Sequence, residues 1–198
     1  MEFSFLFGQF LGGLTTAMFL FLIASGLSLV FGVMRVLNFA HGSFYMLGAY
    51  LAWQAVAWLS PMLGSFWLVL QRTRAGRYIR AAALDRETLG ALGVNVDALY
   101  TWVFVLASFL GGLGGALISP MRATTPGMDT EVIVEAFVVV VIGGLGSFWG
   151  TFLGAVIYGQ VLSFGILFFP RFSIFAVFAL MAGVLIVRPW GLAGRPLK

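Results

Sequence analysis

The chain is partitioned by where its charges are not. No charged side chain lies between Phe3 and Met34, from Val36 to Gln71, from Ala98 to Met121, from Ala136 to Pro170, or from Phe172 to Val187. A helix needs about 20 apolar residues to cross the hydrocarbon core of a bilayer. Four of the runs reach that length and the last approaches it. Strands of a membrane barrel would alternate polar and apolar residues in stretches of about ten. These runs do not alternate, so they predict helices. Only 9% of the residues are charged and 61% are hydrophobic, against about 25% charged in a soluble domain. So little charge cannot solvate a surface in water, and lipid must cover much of it. The expected fold is all-α: one polytopic helical membrane domain over residues 1–198, with about five to six transmembrane helices and a glycine-rich break before the last two.

Two other readings of the same features fail. The N-terminus has no basic region, and its apolar run is too long for a signal peptide. The net charge of +4 comes from basic residues that flank apolar spans, as the positive-inside rule expects, and does not point to nucleic acid. With no cysteine in the chain, disulfides and thiolate metal sites are excluded.

The predicted spans run from about Leu6 to Val33, Leu37 to Leu59, Leu99 to Ile118, Val132 to Ile142, Thr151 to Phe169 and Phe172 to Val187. Between the second and third lies a polar, basic segment, 71–97, which carries Arg72, Arg74, Arg77, Arg80 and Arg86 against Asp85, Glu87 and Asp97. It is short, arginine-rich and set between spans, which assigns it to the cytoplasm. Arg188, Arg195 and Lys198 mark a cytoplasmic tail, and Asp129, Glu131 and Glu135 an acidic outer rim. Most such rims are simply solvated; docking an external binding protein is the sharper alternative, since rim charges steer encounters. Too few residues lie between Pro61 and Arg72 for another span. Either the second stretch ends on the cytoplasmic side and the N-terminus is also inside, or residues are missing at this point.

Glycine recurs at four-residue spacing: Gly8 with Gly12, Gly111 with Gly115, and Gly146, Gly150 and Gly154. In lipid there is little hydrophobic drive between helices, so small-residue stripes supply packing by letting backbones approach. Packing within one subunit is the plain expectation, and a subunit-dimer face the alternative.

The inventory of chemistry is short. The only lysine is Lys198, so no phosphate-binding GxxxxGK[ST] loop exists here. His41 is the only histidine, which rules out histidine-pair metal sites. Only Glu135 could lie within a span, whereas proton-driven transporters use acidic relays deep in the membrane. No catalytic residue, cofactor or metal is expected. The remaining class is a pathway protein powered from elsewhere. Arg35, Asn38, His41 and Tyr45 are the candidates for contact with a translocation route: their spacings of three, three and four would place them on one helical face. The plain alternative is that Asn38 and His41 satisfy each other or a neighbouring carbonyl. Gly76 to Val96 reads as a short amphipathic helix ended by Gly93. By pattern alone it is a membrane-surface helix or a docking element for a soluble partner.

Three stretches carry a resemblance. GLSLVFGVMRVLNFAHGSFYMLGAYLAW, Gly26 to Trp53, RTRAGRYIRAAALDRETLGALGVNV, Arg72 to Val96, and VVVVIGGLGSFWGTFLGA, Val138 to Ala155, resemble in order the permeases of branched-chain amino acid ABC importers (the LivH/LivM type). The resemblance implies that Arg72 to Val96 is the coupling segment docked on an ATPase subunit, with Arg77, Arg80, Asp85, Arg86, Glu87 and Gly93 as its candidate residues. It implies a second permease subunit, two cytoplasmic ATPase subunits, an extracytoplasmic substrate-binding protein and a bacterial plasma (inner) membrane setting. It also implies additional spans between the first signature and the coupling segment; here Trp58 to Gly64 leads almost directly into Phe66 to Arg72, so an internal deletion is expected between about Pro61 and Phe66. Three classes stay open: an ATP-driven permease for branched-chain or similar amino acids (or, in the wider family, urea, amides or other small solutes), a non-transporting truncated or scaffold subunit, and a self-contained channel.

Overall fold

The computed structural model describes residues 3–36, 38–55, 95–119 and 124–194. Among them are six α-helices and no strand: α1 (Phe3–Met34), α2 (His41–Ala55), α3 (Val96–Ile118), α4 (Met128–Gly143), α5 (Phe148–Phe168) and α6 (Ser173–Val187), with a 3₁₀ turn at Pro170–Phe172. The expected all-α architecture is observed. Four described helices are long and apolar enough to cross a membrane, Ser4–Met34, Val96–Ile118, Phe148–Phe168 and Pro170–Val187. The expected five to six include α2 and α4, which have 15 and 16 residues.

Local chemistry sets the helix ends. Asn95 caps α3, its Oδ1 accepting from the Ala98 amide at 3.0 Å, and Ser147 caps α5, its Oγ accepting from the Gly150 amide at 3.1 Å. Each side chain thereby takes one of the donors that a helix start leaves open. Asp129 and Glu131 fall in the first turn of α4, where the helix dipole favours negative charge. α1 stops at Arg35, which adopts φ 54°, a left-handed conformation that ends a right-handed helix.

α1 is the central strut, packed most extensively on α5 and α3, while α2 packs on α3. The α1–α5 pair is antiparallel, with Gln9 beside Ser163, Ala17 beside Gly159, and Phe21 edge-on to Phe152 at 5.2 Å. Polar groups stitch its far end: Gln9 and Ser163 bond each other's backbone carbonyls, and Gln160 Nε2 donates to Phe10 O at 3.1 Å. In lipid such bonds hold helices where apolar burial has little to offer. α2 meets α3 backbone on backbone. A methyl at Gly48 would overlap the Gly112 backbone, and one at Gly115 would overlap the Tyr45 carbonyl. α4 and α5 form a hairpin of the same kind, with Gly143 against Gly150 and Gly154 against the Val139 carbonyl.

Three expectations are corrected. Arg35 and Asn38 do not share a helix with His41 and Tyr45. The left-handed Arg35 ends α1, and Asn38 makes a local turn, its Oδ1 accepting from the Ala40 amide at 3.1 Å, a side-chain bond that competes with helix continuation. Gly146 does not extend a stripe through Gly150 and Gly154; it sits in the turn before α5 with φ 79° and lies against Gly32 of α1. Gly8 and Gly12 do not form a close-packed stripe within the bundle: a methyl at Gly8 meets nothing within 4 Å, and one at Gly12 meets only Ser163 Oγ, at 3.9 Å. Packing between α1 and α5 falls instead to Gly13 and Gly159.

Candidate functional site

Two of the polar candidates, His41 and Tyr45, lie at the junction of α1, α2 and α3. α2 does not continue from the end of α1. It begins beside Gly26, which a methyl would bring within 2.7 Å of His41 Cε1. Gly26 lies eight residues before the last residue of α1, about 12 Å back along the helix. The described residues between the two helices, 35–36 and 38–40, are non-helical, and the chain therefore turns back alongside the final turns of α1. Non-helical backbone at membrane depth is tolerated where protein buries it or where it lines a water-filled cavity.

His41 opens α2 and is buried, 1% exposed. Its Nε2 lies 2.9 Å from the Ile23 carbonyl. A carbonyl can only accept, so Nε2 carries the proton of that bond. The ring is wedged between Gly26 of α1 and Gly111 of α3, where added methyls would come within 2.7 and 3.0 Å of Cε1. Any larger residue at either position would displace the imidazole. His41 is thus a pin through three helices, and it satisfies a neighbouring carbonyl as the plain alternative anticipates. Tyr45, one turn on, is fully buried, with its backbone carbonyl against Gly115.

The other two candidates lie in the stretch between α1 and α2. Arg35 is exposed there. Asn38 is partly buried, and its Nδ2 is shielded with no hydrogen-bond partner among the described residues. Of the four, only His41 and Tyr45 share a helix, and both are inside the protein.

Of the acidic rim, Asp129 and Glu131 start α4 and Glu135 lies one turn deeper. Glu131 and Glu135 line an open groove of about 360 Å³ between α4, α5 and α6, with Val138, Tyr158, Val177 and Phe178. Arg77, Arg80, Asp85, Arg86, Glu87 and Gly93 lie outside the described residues.

Sequence reasoning missed Gly26, Gly48 and Gly112 as contact points, because they pair across helices and not along one. It also missed Gln9 and Gln160, although a glutamine in an otherwise apolar run is a usable signal that a bundle interior faces it.

Helices packed through glycine, a polar seam between α1 and α5 and four described helices able to cross a bilayer define a multi-pass membrane protein. The model of the family described as branched-chain amino acid transport system, permease component, matches residues 9–65 and 62–187, and the chain belongs to that family. The branched-chain amino acid transport permease BraD of Pseudomonas aeruginosa is 31% identical over 164 residues, covering 80% of this chain and 53% of that protein. LivH of Escherichia coli strain K12 is 32% identical over 148 residues, covering 72% and 48%. The fructose import permease FrcC of Rhizobium meliloti is 36% identical over 107 residues, covering 50% and 29%. The chain spans about half the length of the branched-chain relatives it matches. No solved structure gives a significant match.

Proposed function

We propose that this chain is the membrane-spanning permease subunit of an ABC importer for branched-chain or similar amino acids, set in a bacterial plasma membrane. The observation that carries the reading is the family match in two ordered stretches over residues 9–187, joined to 31% identity with a branched-chain amino acid permease over 80% of the chain. A second permease subunit, two cytoplasmic ATPase subunits and an extracytoplasmic binding protein complete the assembly. The permease supplies the route by alternating access, and the ATPase pair drives it through Gly76 to Val96.

The non-helical stretch between α1 and α2 supports a place for the route. Broken helices at depth gather the polar groups that meet solutes in transporters. Here Arg35 and the unpartnered Asn38 amide are the groups able to meet a solute, while His41 and Tyr45 hold the wall behind them.

The two matched stretches meet at residues 62–65, within the interval where the sequence is shorter than the family pattern. This supports an internal deletion there, and with it a second reading: a subunit that inserts and assembles but does not transport. The 36% identity to a fructose import permease keeps other small solutes within the family's reach.

The coupling reading is tested by reversing charges. Arg80→Glu combined with Glu87→Arg is expected to lower co-purification of the ATPase subunit by roughly tenfold, because charge complementarity sets such docking. Membrane insertion is expected to be unchanged. Undiminished co-purification overturns the assignment of this segment.

A further inference from the structure

After α6 the chain turns back across the end of α4. Leu192 N donates to the Ile142 carbonyl and Ala193 N to the Gly143 carbonyl, both at 2.9 Å. These are carbonyls of the last turn of α4, which the helix itself cannot satisfy. The approach is backbone on backbone: a methyl at Gly191 would meet Gly144 Cα at 2.5 Å, one at Gly144 would meet Gly194 Cα at 2.7 Å, and one at Gly194 would overlap the Trp190 carbonyl. Gly191 has φ 78° and Gly144 φ 108°, so side chains at either position are strained as well as crowded.

Among the described residues, the side chains of this strap add little: Arg188 Nη1 donates to the Leu192 carbonyl at 3.2 Å, within the strap itself. Arg188, Pro189, Trp190 and Ala193 are exposed, and Leu192 is its one side chain packed on the core. The helix that leads into it, α6, is the least buried of the candidate spans, with 11% of its window inside the protein. Few buried apolar side chains characterise elements that open before the rest of a fold. The turn beneath it, residues 144–147, is gripped from the other side, where Gly146 lies against Gly32 of α1. The same end of the bundle receives α3: Val33 and Val103 are buried together there, with Leu99, Tyr100 and Phe148 packed on them.

We propose that residues 188–194 are a releasable latch, and that the latch and the Gly32–Gly146 contact form one two-state unit closed around the 144–147 turn. Movement of α1 or of the first turns of α3 against this turn releases the strap. The inference rests on the bundle alone and stands or falls independently of transport.

The test is hydrogen–deuterium exchange of the full chain in lipid nanodiscs. Gly32→Ala is the decisive variant. It places a better helix former on α1 and crowds Gly146 Cα, 3.0 Å from the added methyl, with no strap atom among its nearest neighbours. Exchange at Leu192 and Ala193 is expected to rise roughly tenfold. Gly191→Ala, which strikes the strap itself, is expected to give at least the same rise, and Gly183→Ala, which faces open space, none. Exchange across Thr151 to Tyr158 reports whether the bundle is intact, and Gly146→Ala takes the place of Gly32→Ala if it is not. Wild-type exchange at Leu192 and Ala193 in an intact Gly32→Ala bundle, with Gly191→Ala still releasing them, makes the strap a passive cap and overturns the proposal. Failure of Gly191→Ala to release them overturns it too.

Discussion

Gly115→Val is expected to separate α2 from α3 and to leave little folded protein. A single methyl at this position already overlaps the Tyr45 carbonyl and reaches within 3.0 Å of the Ala49 amide. Neither obstacle is the end of a flexible side chain, so relief requires that a helix move. Across that interface Gly48 meets Gly112 in the same way, so displacement at one crossing point opens the other. Overpacking of this kind costs about 3 kcal/mol or more, a large fraction of a stability of about 5–15 kcal/mol. In lipid the loss is not offset by apolar attraction between the separated faces, since lipid tails are equally apolar. The folded fraction after detergent extraction, followed by thermal unfolding of what remains, measures the effect. Gly8→Val is the control: Gly8 has nothing within 4 Å, and its folded fraction is expected to match that of the wild type.

His41→Ala is expected to be the second most damaging substitution. It empties the wedge between Gly26 and Gly111 and removes the bond to the Ile23 carbonyl. A cavity left by a large buried side chain together with a lost hydrogen bond costs about 2–4 kcal/mol. Folded yield and any uptake are expected to fall together, because the imidazole holds three helices. Uptake lost at undiminished yield would instead put the ring on the route. Asn38→Ala is expected to show that opposite pattern, with yield retained and uptake lowered, since its amide is shielded but lies in the stretch between helices.

The contrast between His41 and Asn38 also marks what the sequence could tell. Charge-free runs located most of the helices because a bilayer penalises charge along a whole span; α4, which carries Asp129, Glu131 and Glu135, was placed by its apolar stretch from Val132 to Ile142. The glycine-rich break after Ile142 was legible as well, since Gly143, Gly144 and Gly146 interrupt an apolar run. The arrangement at the site was not. Spacing alone put Arg35, Asn38, His41 and Tyr45 on one face, but a single left-handed residue, Arg35, breaks the helix between them. Arginine carries no left-handed preference, so its sequence gave no warning. The Gly8–Gly12 pair had the spacing of a packing stripe, yet Gly8 faces open space and Gly12 touches only the Ser163 hydroxyl, while Gly26 serves a ring from another helix. Spacing along one helix does not reveal its partner across the bundle.

The most direct test of the proposed function is uptake of radiolabelled leucine into proteoliposomes holding this chain, its partner permease and the ATPase pair, with the binding protein supplied outside. Uptake is expected only when ATP is present and the binding protein is loaded. Leucine entry without ATP would make the chain a channel, and no entry from a complex that inserts and binds the ATPase stably would make it a non-transporting subunit; either result contradicts an ATP-driven permease.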